Sequence, residues 1–226
     1  MGVFMSVFAH PDDESFAAGA TLARLAHRGV TTVLVTATDG GAGRPGEPPV
    51  AAAGQVARVR ARELAEAARI LGIRHLYRLG YEDGHLDEVD PAAVAESIRL
   101  LILRHRPQAV LTFDAWGGNG HRDHRAVARA LDIALRGLGP QERPQARYAP
   151  VIPEAMAPAD AGVPPGVRVA VPMGPYRLLK WQALAAHATQ HRSVEAAAAH
   201  LTPQVAEFFW REVLGPGADP LARVAT

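Results

Sequence analysis

The regular alternation of strand-like and helix-like segments constrains the fold of this chain more than any other feature of its sequence. Short apolar or β-branched runs predict strands at residues 3–9, 31–37, 75–78 and 109–113. Amphipathic patterns predict the helices that follow them, at residues 14–28, 55–71, 91–105 and about 122–138. Strands that alternate with helices form a mostly parallel sheet with helices packed on its faces. The sequence therefore predicts a Rossmann-like α/β fold.

The second half of the chain continues this pattern less regularly. It contains candidate strands at residues 148–152 and 167–171 and helical patterns at 175–190 and about 203–214. A stretch dense in Pro and Gly covers residues 139–166. We predict a single domain over residues 1–226, with a core at about 3–191 and a C-terminal helical segment at about 192–226. The 226 residues are 48% hydrophobic, which suffices for one sizeable core.

Composition argues against several classes of function. The formal net charge of +1 gives no electrostatic bias toward nucleic acid or a membrane surface. No apolar run approaches the roughly 20 residues that span a bilayer, and the N-terminus lacks the pattern of a secretory signal. We therefore expect a cytoplasmic protein without a nucleic-acid or membrane partner; its oligomeric state, including a homo-oligomer, stays open. Because the chain has no cysteine, histidines and carboxylates must bind any metal.

Two polar clusters each follow a predicted strand and enter a predicted helix. The first is Ala-His-Pro-Asp-Asp-Glu at residues 9–14, and the second is Gly-His-Arg-Asp-His at residues 120–124. Ligands of open α/β sheets bind beyond the carboxyl ends of the strands, so both clusters can face one crevice. His10 and Asp13 are three residues apart and can converge on a metal. His124 lies on the predicted buried face of its helix and points inward.

Both clusters also have a purely structural interpretation. Asp12, Asp13 and Asp123 can serve as acids at helix starts, where they complement the helix dipole. A single histidine on a buried helix face is usually a hydrogen-bonded core residue. Two such clusters at equivalent strand ends favour a functional site over this interpretation.

The two clusters resemble the signatures of the PIG-L/LmbE family of zinc-dependent N-acetylglucosaminyl deacetylases. The resemblance covers residues 3 to about 191 and includes Asp39-Gly40, Arg60, Glu63, Asp83-Gly84, Lys180, His187 and Gln190. It implies a metal-dependent amidohydrolase that removes an acetyl or other acyl group from an N-acylated amino sugar or glycoconjugate.

The resemblance implies that His10, Asp13 and His124 bind one metal ion per chain. Three N/O ligands plus a water form the open arrangement of catalytic zinc sites. Zinc is the expected ion, and ferrous iron is an alternative because it accepts similar ligands.

The resemblance implies proton-transfer roles for the remaining residues of the two clusters. Asp12 corresponds to the general base that accepts the proton of the attacking water. His121 corresponds to an imidazolium that stabilises the oxyanion or protonates the departing amine, and Asp123 corresponds to the carboxylate that orients His121.

Five further residues are candidates for substrate binding: Asp39, Arg44, Asp83, Asn119 and His187. Asp39 and Asp83 can bind sugar hydroxyls or simply form turns. Arg44 can hold an anionic group or be an exposed loop residue, and His187 can be a core residue. Asn119 stands where several amino-sugar deacetylases have a tyrosine, and its amide cannot act as an acid.

Arg60 and Glu63 fall within the predicted buried face of their helix. Buried charges are costly unless they are paired. We interpret the two side chains as a mutual ion pair or as residues that support the crevice from behind.

Two other classes of function remain open at the level of the sequence. A Rossmann-like fold also suits a non-enzymatic nucleotide-binding protein, but no Gly-x-Gly-x-x-Gly follows the first predicted strand. A metal-dependent phosphoesterase also uses histidines and aspartates, although two-metal phosphatases need more ligands than these clusters supply.

Overall fold

The computed structural model describes residues 2–52, 54–152, 158–201 and 204–223. Within these residues, seven strands form one sheet in the order β3-β2-β1-β4-β5-β7-β6. The strands are β1 Val3–Phe8, β2 Thr31–Thr38, β3 His75–Tyr81, β4 Ala109–Leu111, β5 Ala146–Pro150, β6 Val167–Pro172 and β7 Ala206–Val213. The first five run parallel, and β7 is antiparallel to both of its neighbours. This sheet confirms the predicted α/β fold.

Six helices accompany the strands in the described parts of the chain: α1 Asp13–His27, α2 Val56–Ile70, α3 Pro91–His105, α4 Arg122–Arg136, α5 Tyr176–Ala186 and α6 His191–Leu201. Helices α1 and α2 both pack against α5, and α3 packs against α4. Helices on both faces bury the central strands, and every residue of β1 and β2 except the first of each is buried. No helix among the described residues combines the length and apolar character needed to cross a bilayer.

The order of the strands places a crevice beside β1. The chain adds β2 and β3 on one side of β1, then returns to add β4 and β5 on the other. The loops that leave β1 and β4 therefore diverge at the carboxyl edge of the sheet, where ligands bind in such folds. The polar clusters at 9–14 and 120–124 span the ends of these two loops and the first turns of α1 and α4.

The prediction of a helix at about 203–214 is wrong. Residues Ala206–Val213 form β7, which pairs with β5 on one side and β6 on the other. The segment is rich in aromatic residues, which favour strands, and Phe209 is fully buried with its ring 6.3 Å from that of Tyr148. The C-terminal segment is therefore α6 followed by a strand rather than wholly helical; residues 202–203 and 224–226 of that prediction lie outside the described residues.

Candidate active site

The two clusters meet in a cavity of about 510 Å³ at the carboxyl edge of the sheet. His10 and Asp12 lie in the loop between β1 and α1, and Asp13 begins α1. His121 caps the N-terminus of α4, and His124 lies in its first turn. All five side chains line the cavity, whereas Asp123 is fully buried behind it.

Three of these side chains present atoms at the spacing of metal ligands. Nδ1 of His10 lies 3.1 Å from Nε2 of His124 and 3.7 Å from Oδ2 of Asp13. Nε2 of His124 lies 3.3 Å from Oδ1 of Asp13. Zinc bonds of about 2.0–2.1 Å in a tetrahedral site separate ligand atoms by roughly 3.3–3.4 Å. Asp13 faces the two histidines with different oxygens, so two imidazole nitrogens and one carboxylate form a donor set of the kind that zinc binds.

Two other groups of side chains are also close enough to share a cation. One combines His10 and His124 with His121, and the other combines His10 with Asp83 and Asp123. The second group uses Nε2 of His10, which lies 3.1 Å from both carboxylates. A hydrogen bond from Nε2–H of His10 to these oxygens gives the three side chains polar partners without a metal.

Hydrogen bonds fix the ring orientations of both candidate histidine ligands. Nδ1–H of His124 donates to the carbonyl of Gly117 at 3.0 Å, and the ring stacks on Phe113 with 3.9 Å between centroids. This bond leaves the lone pair of Nε2 facing the cavity. His10 is oriented in the opposite sense, because its Nε2–H faces the carboxylates and its Nδ1 faces the cavity. Such outer hydrogen bonds select the tautomer that binds metal.

The same carboxylates control the charge of His10. Burial disfavours the charged ring, but Asp123, Asp83 and Asp13 outweigh it and raise the pKa of His10 to about 10. In the charged ring, Nδ1–H of His10 donates to Nε2 of His124, and a metal bound at Nδ1 would replace this proton. Burial likewise opposes the charge of Asp13, yet His124 and His10 hold its pKa well below the ordinary value.

The prediction that Asp123 orients His121 is wrong. Oδ2 of Asp123 lies 3.1 Å from Nε2 of His10 and accepts from the backbone N–H of Gly84 at 2.7 Å. Its Oδ1 accepts from the N–H of Leu86 at 3.1 Å. The side chain points inward toward the loop after β3, while that of His121 turns toward the cavity. Asp123 therefore positions His10.

The position of His121 favours a neutral ring over the imidazolium that the resemblance implies. Its Nδ1 accepts a hydrogen bond of 3.2 Å from the backbone N–H of Asp123, as expected for a residue that caps α4. An accepting ring nitrogen carries no proton. Burial and the nearby His10 and His124 also lower the pKa of His121. Both observations favour a neutral ring with its proton on Nε2.

Asp12 lies beside the three candidate ligands without belonging to them. Its backbone has φ of +126°, which is rare for a residue other than glycine, and its Oδ2 lies 3.3 Å from Nη2 of Arg60. Strained conformations of this kind occur often at functional sites. Burial raises the pKa of Asp12 to about 6, even though Arg60 opposes that shift. A carboxylate with a pKa near neutrality suits proton transfer.

Arg60 reaches the crevice rather than pairing with Glu63. Its guanidinium donates to the carbonyls of Pro11 and Gly40 and pairs with Asp12. Gly40 has φ of +70°, and a Cβ built there would lie 2.8 Å from Nη1 of Arg60. The glycine therefore makes room for the guanidinium.

Glu63 has a separate structural role. Its carboxylate accepts from the backbone N–H of Thr189 at 2.8 Å and from the Thr189 hydroxyl at 2.6 Å. This contact ties α2 to the short 3₁₀ turn at Ala188–Gln190. Glu63 thus supports the crevice from behind, as one of the two interpretations predicted, whereas Arg60 lines the cavity, and the mutual ion pair of the two does not form.

The prediction that His187 binds substrate is not supported by its position. His187 is fully buried, and its Nε2 lies 2.8 Å from Oε1 of Glu14. Burial opposes a charge on His187, but Glu14 outweighs it and raises the pKa of His187. Oε2 of Glu14 accepts from the backbone N–H of Asp12 at 3.1 Å. Sequence reasoning overlooked Glu14, although it is the last residue of the first cluster.

The four remaining substrate-binding candidates occupy different environments. Asn119 is exposed and lines the cavity. Asp83 also lines it, but its oxygens face His10 and accept from the N–H of Ala42 at 3.1 Å. Asp39 forms a turn by accepting from the N–H of Gly41 at 2.8 Å, and Arg44 is exposed outside the cavity lining.

Comparison with known proteins identifies relatives over much of the chain. The family model described as PIG-L, GlcNAc-PI de-N-acetylase, matches residues 5–135. A probable N-acetyl-alpha-D-glucosaminyl L-malate deacetylase 2 of Bacillus cereus is 36% identical over 139 residues, which cover 61% of this chain and 63% of that protein. A 1D-myo-inositol 2-acetamido-2-deoxy-alpha-D-glucopyranoside deacetylase of Nakamurella multipartita is 33% identical over 82% of this chain and 78% of that protein.

The solved structures agree on the fold. The N,N'-diacetylchitobiose deacetylase of Pyrococcus horikoshii superposes with a TM-score of 0.72 at 21% identity, covering 96% of this chain and 88% of that one. The chain spans less than two thirds of the length of three curated relatives that it matches, namely 63%, 46% and 61%.

Proposed function

Because the chain belongs to the PIG-L family of GlcNAc-PI de-N-acetylases, we propose that it is a zinc-dependent hydrolase of the amide bond in an N-acetylated amino sugar or its conjugate. The observation that carries this proposal is the convergence of His10, Asp13 and His124 beside a separate carboxylate, Asp12. That arrangement supplies a metal site and a proton acceptor in one cavity.

A zinc ion held by His10, Asp13 and His124 would lower the pKa of a water in the open position and polarise the amide carbonyl. Asp12 accepts the proton of the attacking water, since it is ionised above its pKa of about 6. Nε2–H of the neutral His121 donates to the oxygen on which negative charge develops. When the C–N bond breaks, Asp12 returns its proton to the departing nitrogen, and the products are acetate and a free amine.

The polar rim of the cavity supports an amino-sugar substrate. Asn119 offers an amide, and the backbone at Ala42, Gly43 and Gly84 borders the cavity beside it. Relatives named as deacetylases of N-acetylglucosaminyl malate and of an acetamido-deoxyglucopyranoside of inositol point to the same class. The cytoplasmic location and the oligomeric state stay predictions of the sequence.

The proposal is tested by measuring metal content and acetate release together. Purified protein should contain about one zinc per chain, and preparation without oxygen tests ferrous iron in its place. A panel of N-acetylglucosamine conjugates and chito-oligosaccharides should yield free amine and equimolar acetate, with Asp12→Asn as the inactive control. Release of phosphate from aryl phosphates would instead favour a phosphoesterase. A metal-free protein that binds nucleotide and releases neither product would overturn the proposal.

A further inference from the structure

A buried ion pair interrupts the helix that begins at the candidate metal site. Helix α1 is kinked at Ala18, whose φ of −149° and ψ of 20° are not helical. Lys180 of α5 and Glu207 of β7 lie at the kink, with Nζ 2.6 Å from Oε1, and each residue is only 3% exposed. Buried charges of this kind are costly, so their position calls for an explanation.

The ion pair takes the place of backbone hydrogen bonds of a regular helix. In an unbroken helix, the N–H of Ala20 would donate to the carbonyl of Phe16. Here the N–H of Ala20 donates to Oε1 of Glu207 at 3.1 Å, and the carbonyl of Phe16 accepts from Nζ of Lys180 at 2.7 Å. The next amide, that of Thr21, donates to Oε2 of Glu207 at 2.7 Å. Each side of the kink is thus bound by one member of the pair.

The part of α1 before the kink carries the chemistry of the site. It begins with Asp13, one of the three candidate ligands, and Asp12 precedes it. The N–H of Phe16 donates to the carbonyl of Asp12 at 3.1 Å. Two hydrogen bonds, one at the carbonyl and one at the N–H of Phe16, therefore connect Lys180 to the backbone of Asp12.

Resting on the proposed function, we propose that Lys180 and Glu207 are positioning residues. Their ion pair, inserted at Ala18, sets the direction of the first turn of α1 and so places Asp12 and Asp13 relative to the histidines. Gly19 belongs to this arrangement, because a Cβ built there would lie 3.0 Å from Cγ of Lys180. The glycine allows the lysine stem to cross the helix at the kink.

The decisive variant removes both charges together, Lys180→Met with Glu207→Leu. Replacing a buried ion pair by apolar side chains of similar size is often neutral for stability. We expect a folded protein with a melting temperature near that of the wild type, in which α1 recovers its own hydrogen bonds and straightens. Metal affinity, measured on apoprotein against a chromophoric chelator, should fall at least tenfold. Turnover should fall about 10- to 100-fold, because small displacements of catalytic groups are costly.

The single variants distinguish positioning from stability. Lys180→Met and Glu207→Leu each leave one buried charge unpaired and should melt below the double variant. A purely structural pair predicts that the double variant regains activity and metal affinity together with stability. A double variant that is folded and binds metal and turns over like the wild type would therefore overturn the proposal.

A gentler variant serves if the double variant does not fold. Gly19→Ala keeps both charges and presses a methyl group on the stem of Lys180. We expect a two- to fivefold loss of metal affinity, whereas Gly137→Ala at the end of α4 should cause none, since its Cβ would have no neighbour within 3.5 Å. Equal metal affinity in these two variants would count against positioning. Because metal affinity needs no substrate, it tests positioning even if the wild type releases no acetate.

Discussion

Asp123 lies in the first turn of α4, just after the loop that follows β4, and His10 lies in the loop after β1, yet the carboxylate of Asp123 approaches Nε2 of His10 to 3.1 Å. The same carboxylate accepts two backbone N–H groups, from Gly84 and Leu86. The loop after β3 therefore holds Asp123, and Asp123 holds the ring of His10 with Nδ1 toward the cavity. Three loops are thereby connected at one side chain.

We expect Asp123→Asn to weaken metal binding without unfolding the protein. The amide keeps an acceptor for one backbone N–H but loses the charge that stabilises the His10 ring and places an NH₂ group where an acceptor is needed. Loss of such an outer partner typically costs 10- to 100-fold in metal affinity. Chelator competition measures the effect, with Asp87→Asn at the exposed ion pair to Arg122 as the control. Equal affinities of the two variants would contradict the role of Asp123.

His121→Ala should lower turnover while metal is retained. The neutral ring contributes one donor to the developing oxyanion, and removal of such a donor costs about 10²–10³ in kcat. The measurements are kcat, KM and zinc content. The control is His85→Ala, since His85 is an exposed histidine paired with Glu88. Loss of zinc from His121→Ala would place His121 among the metal ligands, as the alternative group with His10 and His124 implies.

Asp12→Asn should abolish most activity and leave the fold intact. Asparagine has nearly the same shape as aspartate, so the substitution adds no steric strain at φ of +126°. An amide cannot accept the proton of the attacking water, and loss of a general base lowers turnover by roughly 10²–10⁴. Zinc content and melting temperature should match the wild type. Activity within a few-fold of the wild type would remove Asp12 from the mechanism.

The sequence predicts that His10, Asp13 and His124 lie close together because their convergence depends on local order and topology. His10 and Asp13 share a helix start, and His124 begins another helix after a neighbouring strand. Once the sheet is parallel and its order reverses beside β1, these side chains must face the same crevice.

Hydrogen-bond and ion-pair partners that depend on tertiary contacts cannot be predicted from local order and topology. Asp123 pairs with His10 because the N–H groups of the loop after β3 capture its carboxylate, which no spacing along the chain reveals. The strand β7 has a pattern compatible with a helix, and its pairing between β5 and β6 decides the outcome. Glu207 lies on this strand, so the error also hid the ion pair with Lys180.

The space at Gly40 provides a test of how tightly Arg60 must be held. Gly40→Ala places an L side chain at φ of +70°, and its Cβ would lie 2.8 Å from Nη1 of Arg60. Gly29→Ala is the matched control, because Gly29 has φ of +77° and a Cβ built there has no neighbour within 4 Å.

Both variants should lose about 1–2 kcal/mol of unfolding free energy from backbone strain alone. Only Gly40→Ala displaces the guanidinium of Arg60, which lies 3.3 Å from Oδ2 of Asp12. Asp12 then loses the cation that most strongly opposes its protonation. We therefore expect a further loss of stability and at least a tenfold drop in kcat for Gly40→Ala, with Gly29→Ala retaining wild-type kcat. Denaturant unfolding and steady-state kinetics measure the two effects. Equal kcat in both variants would mean that catalysis does not depend on the position of Arg60.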